Sequence, residues 1–547
     1  MNTKVDNAVG ESTRPHSMNA AGRIAVFTGN LSYSVRHGIV SVDDSIHALE
    51  WLIVVRKQTR TAGDLWRSQV QNIKRNGWRW IAYQLKEVWQ RLISRALTHA
   101  PARPTPGHEY TTAALKARQN VRIVEFNDIH APQAIERVRD FSPDLGLSLA
   151  APILKRSLFS VPRLGTINLH KGKLPDFRGM PPAFWEIWHD AASVGCSIHA
   201  VDDKLDTGPL IAQAEVRRQR YSTVKGLQLE LDELAIGLTR TAVAGLLDGT
   251  AVPTQQPSGK GSTFRKPTLQ QLAQMQKRLA MPGPDSSAKT VLKHGIAAGL
   301  AGLHWAGLAK VLAPRVVVLL YHRVADDARD NLTAGIEQFD SHMQWLSNHC
   351  TVLPIEDVLK MGVVPRSARP LVAVSFDDGY LDNYRFAAPI LRRHGLPASF
   401  FVSTGIVDSE RAFPHDVRRG NSALAKMSWD QLREMKSWGF TIGSHTVGHI
   451  DCAAEPEDLV KRELAQSRDD LQQQLGVFDP IFAYPYGGRQ HMSAPRLELV
   501  KQAGYVACLS AYGGTNIGTV DRYNVLRRSI SWEYDDHSFR RLCLGWV

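Results

Sequence analysis

Short apolar runs closed by glycine or polar turns alternate along this chain with stretches whose apolar residues recur at helical spacing. "RIAVFTGN" from Arg23 reads as a strand ending in a glycine turn, and "WLIVVRKQ" at 51–58 as a second. "VRIVEF" at 121–126, a helix near Pro132 to Asp140, "LGLSLA" at 145–150 and "GTINLH" at 165–170 continue the series. Such alternation predicts βαβ units and a mostly parallel sheet, whose ligands bind at the carboxyl ends of the strands. The expected fold class is therefore α/β. No GxGxxG or P-loop follows the first strand, so neither a dinucleotide nor ATP is indicated.

After Pro314, "RVVVLLYHRV" opens a second series of strands and helices that runs to the end. Between the two series, "GTAVPTQQPSGKGSTFRKP" at 249–267 and "MPGPDSSAK" at 281–289 concentrate Gly, Pro, Ser and Thr. A length of 547 residues predicts roughly two to four domains. The expected division is a disordered lead-in over 1–22, a first domain over 23–270, a linker over 271–312 and a second domain over 313–547. The Gly/Ala-rich stretch Lys293 to Pro314 is about a bilayer thickness long, but four glycines, His304 and Lys310 favour a packed or interfacial helix over a span.

Composition changes this picture modestly. The polar N-terminus has no apolar core of a secretory signal, and the five cysteines are far apart with no CxxC pair. Reduced thiols and a cytoplasmic location are expected. A formal net charge of +13 favours anionic partners without choosing among them. From Ala62 to Thr98, Trp66, Trp78, Trp80 and Trp89 interleave with Lys and Arg in a helical, amphipathic pattern. Either the tryptophans pack on the domain, or this is a surface helix making a peripheral membrane contact with anionic lipid or a lipid-linked substrate.

The candidate chemistry lies at strand ends. "LVAVSFDDGY" is an apolar strand that closes on two adjacent aspartates, Asp377 and Asp378, and "FTIGSHTVGH" a strand that closes on His445 and His449. Each alone has an ordinary reading, as a turn or as two capping histidines. At spacing i, i+4 on a helical turn, the two imidazoles would share a face. Two histidines and one carboxylate make a three-ligand metal site with a position open for water, while the neighbouring carboxylate can take a proton from the attacking water.

"SFDDG", "SHTVGH" and "AYPYGG", in this order, resemble the polysaccharide deacetylase family, carbohydrate esterase family four, over about Arg315 to Val547. The resemblance implies a distorted (β/α) barrel that hydrolyses an N-acyl group on an amino sugar. It implies Asp377 as general base and Asp378, His445 and His449 as ligands of a divalent metal, zinc. It also implies Pro485 and Tyr486 in the substrate groove, with the Tyr486 backbone amide at the oxyanion. Ala483 stands where the family often has an arginine, and no late Leu-x-His motif follows Tyr486 to supply the general acid. His322, just after its strand, is the candidate acid, with His537 as the alternative.

In the first series, "GTINLHKGKLPDFRG" sets Asn168 and His170 on one strand face, and "IHAVDDKLDTGPLI" places Asp206 at an Asp-Thr-Gly turn. An amide donor, an imidazole and a carboxylate without Ser or Cys suggest direct acyl transfer. On this reading Asp206 raises the pKa of His170, and protonated His170 joins Asn168 at the oxyanion. These segments are similar to the folate-dependent formyltransferase family, over about Arg23 to Pro267. That resemblance implies a Rossmann-like domain using 10-formyltetrahydrofolate, with Asn168, His170 and Asp206 as catalytic residues. Leu174, Pro175, Arg178, Gly179 and His199 would bind the cofactor.

Together the halves predict a bifunctional amino-sugar enzyme that deacetylates and then formylates one nitrogen, the sugar being nucleotide- or lipid-linked and no nucleic acid being expected. The alternatives are a methionyl-tRNA formyltransferase-like enzyme and a membrane-surface scaffold with degenerate enzyme domains.

Overall fold

The computed structural model describes residues 22–46, 48–57, 62–77, 81, 110–257, 261–279 and 313–545. The Gly/Ala-rich stretch up to residue 312 and Trp78, Trp80 and Trp89 lie outside them.

The first series forms a seven-stranded sheet. Strands β1 (Gly22–Thr28), β2 (Leu49–Arg56), β3 (Val121–Phe126), β4 (Leu145–Ser148) and β5 (Thr166–His170) pair in parallel, in the spatial order β3-β2-β1-β4-β5. Ile24 to Phe27 of β1 are fully buried, as a strand covered on both faces requires. Helices α1 (Tyr33–Ser45), α2 (Pro132–Phe141) and α3 (Val224–Leu247) cover the sheet; Ile39 and Val42 of α1 share a core with Val243 of α3.

After β5 the direction changes. The short β6 (Phe177–Gly179) leaves the sheet, β7 (Ser193–Ala200) returns antiparallel to β5, and β8 (Leu210–Arg217) follows antiparallel to β7. The β5/β7 register sets Asn168 directly opposite His199. The short β9 (Ser262–Phe264) pairs with β6 and brings Phe264 beside Gly179.

The second series forms a nine-stranded sheet. Strands β10 (Arg315–Tyr321), β11 (Leu371–Phe376), β12 (Ser399–Val402), β13 (Thr441–Ser444), β14 (Ile481–Ala483) and β15 (Ala507–Leu509) pair in parallel in chain order. A parallel bridge from Leu509 to Val525 leads to β16 (Arg527–Ser529), which pairs with β10 and closes the ring. This is the distorted barrel expected, with His322, Asp377, Asp378, His445 and Tyr486 all just past the carboxyl ends of its strands.

The two parts touch: the Arg392 guanidinium lies 4.6 Å from the ring centre of Tyr110 and 4.1 Å from that of Trp438. The five cysteines are buried and free. Trp66, on the helix Ala62–Asn76, is 71% exposed, so this tryptophan is not packed on the domain. Among the described residues no helix is long and apolar enough to cross a membrane.

Candidate active sites

Asp378, His445 and His449 converge at the mouth of the barrel: one ligand atom from each lies within 4.8 Å of the others, and all three side chains are buried. His445 Nε2 and His449 Nε2 stand 3.5 and 3.2 Å from Asp378 Oδ1. The histidine spacing works differently from expectation. His445 and His449 lie on no helix; a turn after β13 joins them, with Thr446 and His449 at φ 64° and 56°. Left-handed backbone lets a turn swing His449 back over His445, where a helix would have stacked the two rings on one face. Asp378 and Tyr486 are also left-handed, at φ 75° and 62°. Unfavourable backbone at these positions is held by the surrounding packing, a pattern concentrated at functional sites.

The trio fits a divalent cation. Asp378 Oδ1 is a buried oxygen without a hydrogen-bond partner, and His449 Nδ1 is likewise unpartnered. His445 Nδ1 donates to the Ala483 carbonyl at 2.7 Å, which turns its Nε2 toward Asp378. Burial works to protonate Asp378, but the surrounding imidazoles of His415, His445 and His449 outweigh it and hold the carboxyl well below the usual range. Two imidazoles and an ionised carboxylate are the donor set of a hydrolytic zinc site.

Asp377 points elsewhere. Arg527 grips it with both guanidinium arms, Nη1 to Oδ1 and Nη2 to Oδ2 at 2.7 Å each, while Arg527 Nε donates to the Ser510 carbonyl. Burial alone would raise the Asp377 pKa; Arg527 reverses this and keeps it ionised. Arg527, fully buried on β16, thus supplies from another strand the cation that Ala483 cannot. The sequence reading missed it. The available signal was a charged pair inside the apolar strand pattern "VLRRSI".

Replacing Arg527 with methionine is expected to strand a buried carboxylate and cost ~3–5 kcal/mol in denaturant unfolding. The Asp377 pKa then rises. With Asp377 read as the base, the acid limb of the hydrolysis profile is expected to move to higher pH, and an unmoved limb contradicts that reading.

His322 Nδ1 is buried and unpartnered. Burial lowers the His322 pKa, and the opposing pull of Asp378 and Asp377 does not restore it. Pro485 is buried, whereas Tyr486 is 40% exposed with its ring 5.0 Å from that of His449. The His537 side chain lies outside the described residues.

In the first part, Asn168, His170, His199 and Asp206 line one cavity of about 720 Å³, together with Gly179, Met180, Leu149 and Phe264. That is the size of a small-molecule or cofactor site, with apolar walls and a few convergent polar groups. Asp206 Oδ2 lies 3.5 Å from His170 Nδ1 and accepts from the Gly179 amide at 3.2 Å; its Oδ1 lies 3.5 Å from His199 Nε2. Asn168 Nδ2 is 3.2 Å from the same His199 nitrogen. Asp206 sits at φ 54° in the Asp-Thr-Gly turn. A side chain on Gly208 would meet the Ala200 carbonyl at 1.9 Å, so the turn can close against β7 only with glycine there.

One electrostatic expectation is corrected. Burial outweighs Asp206, and the His170 pKa is lowered, not raised. His170 is therefore neutral near pH 7, with Nε2–H donating to the Phe177 carbonyl at 2.8 Å. Burial likewise acts to raise Asp206, but hydrogen bonds from His199 and the Gly179 amide help bring it below its ordinary value. Gly179 and His199 border the cavity, whereas Leu174, Pro175 and Arg178 do not. Leu174 is buried, with its amide donating to Ser197 Oγ.

Comparison with known proteins divides the chain in the same way. The formyl transferase family model matches residues 101–236, and the polysaccharide deacetylase family model matches residues 365–508; both are families of enzymes. A Bacillus subtilis (strain 168) protein provisionally described as a polysaccharide deacetylase, YxkH, is 25% identical over 193 residues, covering 35% of this chain and 62% of its own. The methionyl-tRNA formyltransferase of Geobacillus thermodenitrificans (strain NG80-2) is 30% identical over 146 residues, covering 26% of this chain and 46% of its own. The chain thus spans less than two thirds of either relative. The solved Streptococcus pyogenes deacetylase PplD in complex with acetate shares 22% identity at a TM-score of 0.36, covering 43% of this chain and all of that one.

Proposed function

We propose that this chain is a bifunctional amino-sugar enzyme: a metal-dependent deacetylase frees the amine of an N-acetyl amino sugar, and a formyltransferase using 10-formyltetrahydrofolate caps that amine. The observation that carries the reading is that one chain holds two complete and chemically different clusters, Asp377 with Asp378, His445 and His449, and Asn168 with His170, His199 and Asp206. One set suits hydrolysis of an amide and the other acyl transfer to the amine so produced.

In the deacetylase, Asp378, His445 and His449 would hold zinc, whose charge polarises the acyl oxygen and acidifies water. Asp377, kept anionic by Arg527, accepts the proton of the attacking water. The Tyr486 amide faces the oxygen on which charge develops. His322 hands a proton to the departing nitrogen.

In the formyltransferase, the folate would occupy the cavity and supply the formyl group. Asn168 Nδ2 would donate to the formyl oxygen, while the Gly179 amide holds Asp206 and neutral His170, its Nε2–H given to the Phe177 carbonyl, packs beside that carboxylate. Ionised Asp206 would take the proton released when the amine attacks and return it to the folate nitrogen as that nitrogen's bond to the formyl carbon breaks.

Supplying the protein with the folate donor and a panel of free-amine nucleotide sugars should give a formyl mass increase on at least one. No product across the panel would remove the sugar reading of the first part. The curated relatives of that part favour a second reading, formylation of methionyl-tRNA. Binding of tRNA that weakens steeply with salt, with formyl transfer to it, would select that reading.

A further inference from the structure

The three-ligand cluster uses one oxygen of Asp378. The other, Oδ2, lies 3.5 Å from Nε2 of His415, a residue of "FPHD" on the short helix α4 (Pro414–Arg418), between β12 and β13. The His415 side chain is only 12% exposed. Its ring stacks on Phe413, with centroids 5.2 Å apart and planes 13° from parallel, and lies 5.1 Å from the ring of His449.

Tyr380 determines which hydrogen His415 presents. The Tyr380 hydroxyl donates to Asp416 Oδ2 at 2.9 Å, which uses its single proton. Its 2.9 Å bond with His415 Nε2 must then be donated by the histidine. Tyr380 and Asp416 are buried, at 0% and 2% exposure, so this relay has little freedom. The Nε2–H of His415 is thereby directed to the Tyr380 hydroxyl, with Asp378 Oδ2, 3.5 Å away, as a longer second acceptor of the same hydrogen.

We propose that His415 is a positioning residue of the metal centre. It braces Oδ2 of Asp378 with the Nε2–H that it shares with Tyr380, so that the carboxylate presents its unpartnered Oδ1 to the cation in a single orientation. Without that contact the carboxylate loses its polar neighbour on the Oδ2 side, and the ligand set is less preorganised. This inference rests on the metal reading of Asp378, His445 and His449. It adds to that set a residue that binds no metal itself, delivered by the segment between β12 and β13.

The test is zinc affinity, which needs no substrate. The full-length chain, stripped with a chelator, is titrated with zinc against a chromophoric competitor, in the wild-type form and as His415→Ala, His415→Gln and Asp378→Ala. His415→Ala is expected to weaken zinc binding about 10- to 100-fold, the usual loss when a residue that orients a metal ligand is removed. His415→Gln, which keeps an N–H near the same place, should recover most of it, and the cobalt-substituted forms should share one absorption band position because the ligands are unchanged. Zinc binding by His415→Ala within about twofold of wild type would overturn the proposal, since an orienting partner is worth far more than that. An equal loss in the alanine and glutamine variants would overturn it too, because a donated hydrogen would then be irrelevant. If the wild-type chain binds no zinc, or Asp378→Ala binds it as tightly, the metal centre itself is refuted and His415's role falls with it.

Discussion

Replacing Asp378 with alanine is expected to abolish hydrolysis of an N-acetyl amino sugar while leaving formylation of a supplied free amine at the wild-type rate. The loss should be at least about 10³-fold, because removing the only carboxylate of a three-ligand site forfeits several kcal/mol of charge stabilisation. The mechanism of loss is specific. Asp378 Oδ1 lies 3.5 Å from His445 Nε2 and 3.2 Å from His449 Nε2, so its removal takes away the anion that these two buried imidazoles share. Asp377 remains gripped by Arg527, and the base survives without the group that acidifies its water. Asp378→Asn, which keeps the shape but not the charge, should be similarly inactive. Bound zinc should fall in parallel with activity, as measured by metal analysis of the purified variants. Hydrolysis that persists without bound metal would contradict the ligand assignment.

The second large effect is expected from Asp206→Asn. The amide keeps an oxygen that can accept from the Gly179 N–H and fits the same left-handed turn, for which asparagine is well suited. What disappears is the anion shared by His170 and His199. Formylation should drop by about 10²- to 10⁴-fold, the range for a lost general base, with deacetylation untouched. The readout is kcat for formylation across pH together with the thermal midpoint, which should move little. Formylation retained within about tenfold would show that solvent, not Asp206, carries the proton away.

Much of the fold was legible because hydrophobic periodicity is a local property. The runs around Ile24, Val54 and Val318 are near-continuous apolar strands, and each appears where its pattern predicts. The chemistry at their ends was legible for the same reason, since a polar residue at the close of a buried strand is placed by the strand itself. Asp377 and Asp378 follow β11, His445 follows β13, and Asn168 with His170 closes β5.

What was not legible depends on tertiary approach. Arg527 reaches Asp377 across 150 positions of sequence, and no local spacing announces that pair. His415 meets Asp378 only because the segment between two strands folds back over the barrel mouth, where Tyr380 waits for it. The histidine pair looked helical because i, i+4 is the helical spacing, yet left-handed residues at Thr446 and His449 achieve the same proximity by a turn. The His170 pKa was misjudged in sign because its charged neighbour is visible in sequence and its burial is not.

The most direct test of the two-site reading combines both variants. Wild-type protein given zinc, the folate donor and an N-acetyl amino sugar should convert it to the N-formyl product, one methylene lighter by mass. Neither Asp378→Ala nor Asp206→Asn alone should do so, and an equal mixture of the two should restore conversion through released free amine. Conversion by Asp378→Ala alone, or none by the mixture when each variant retains its own half-reaction, would contradict it.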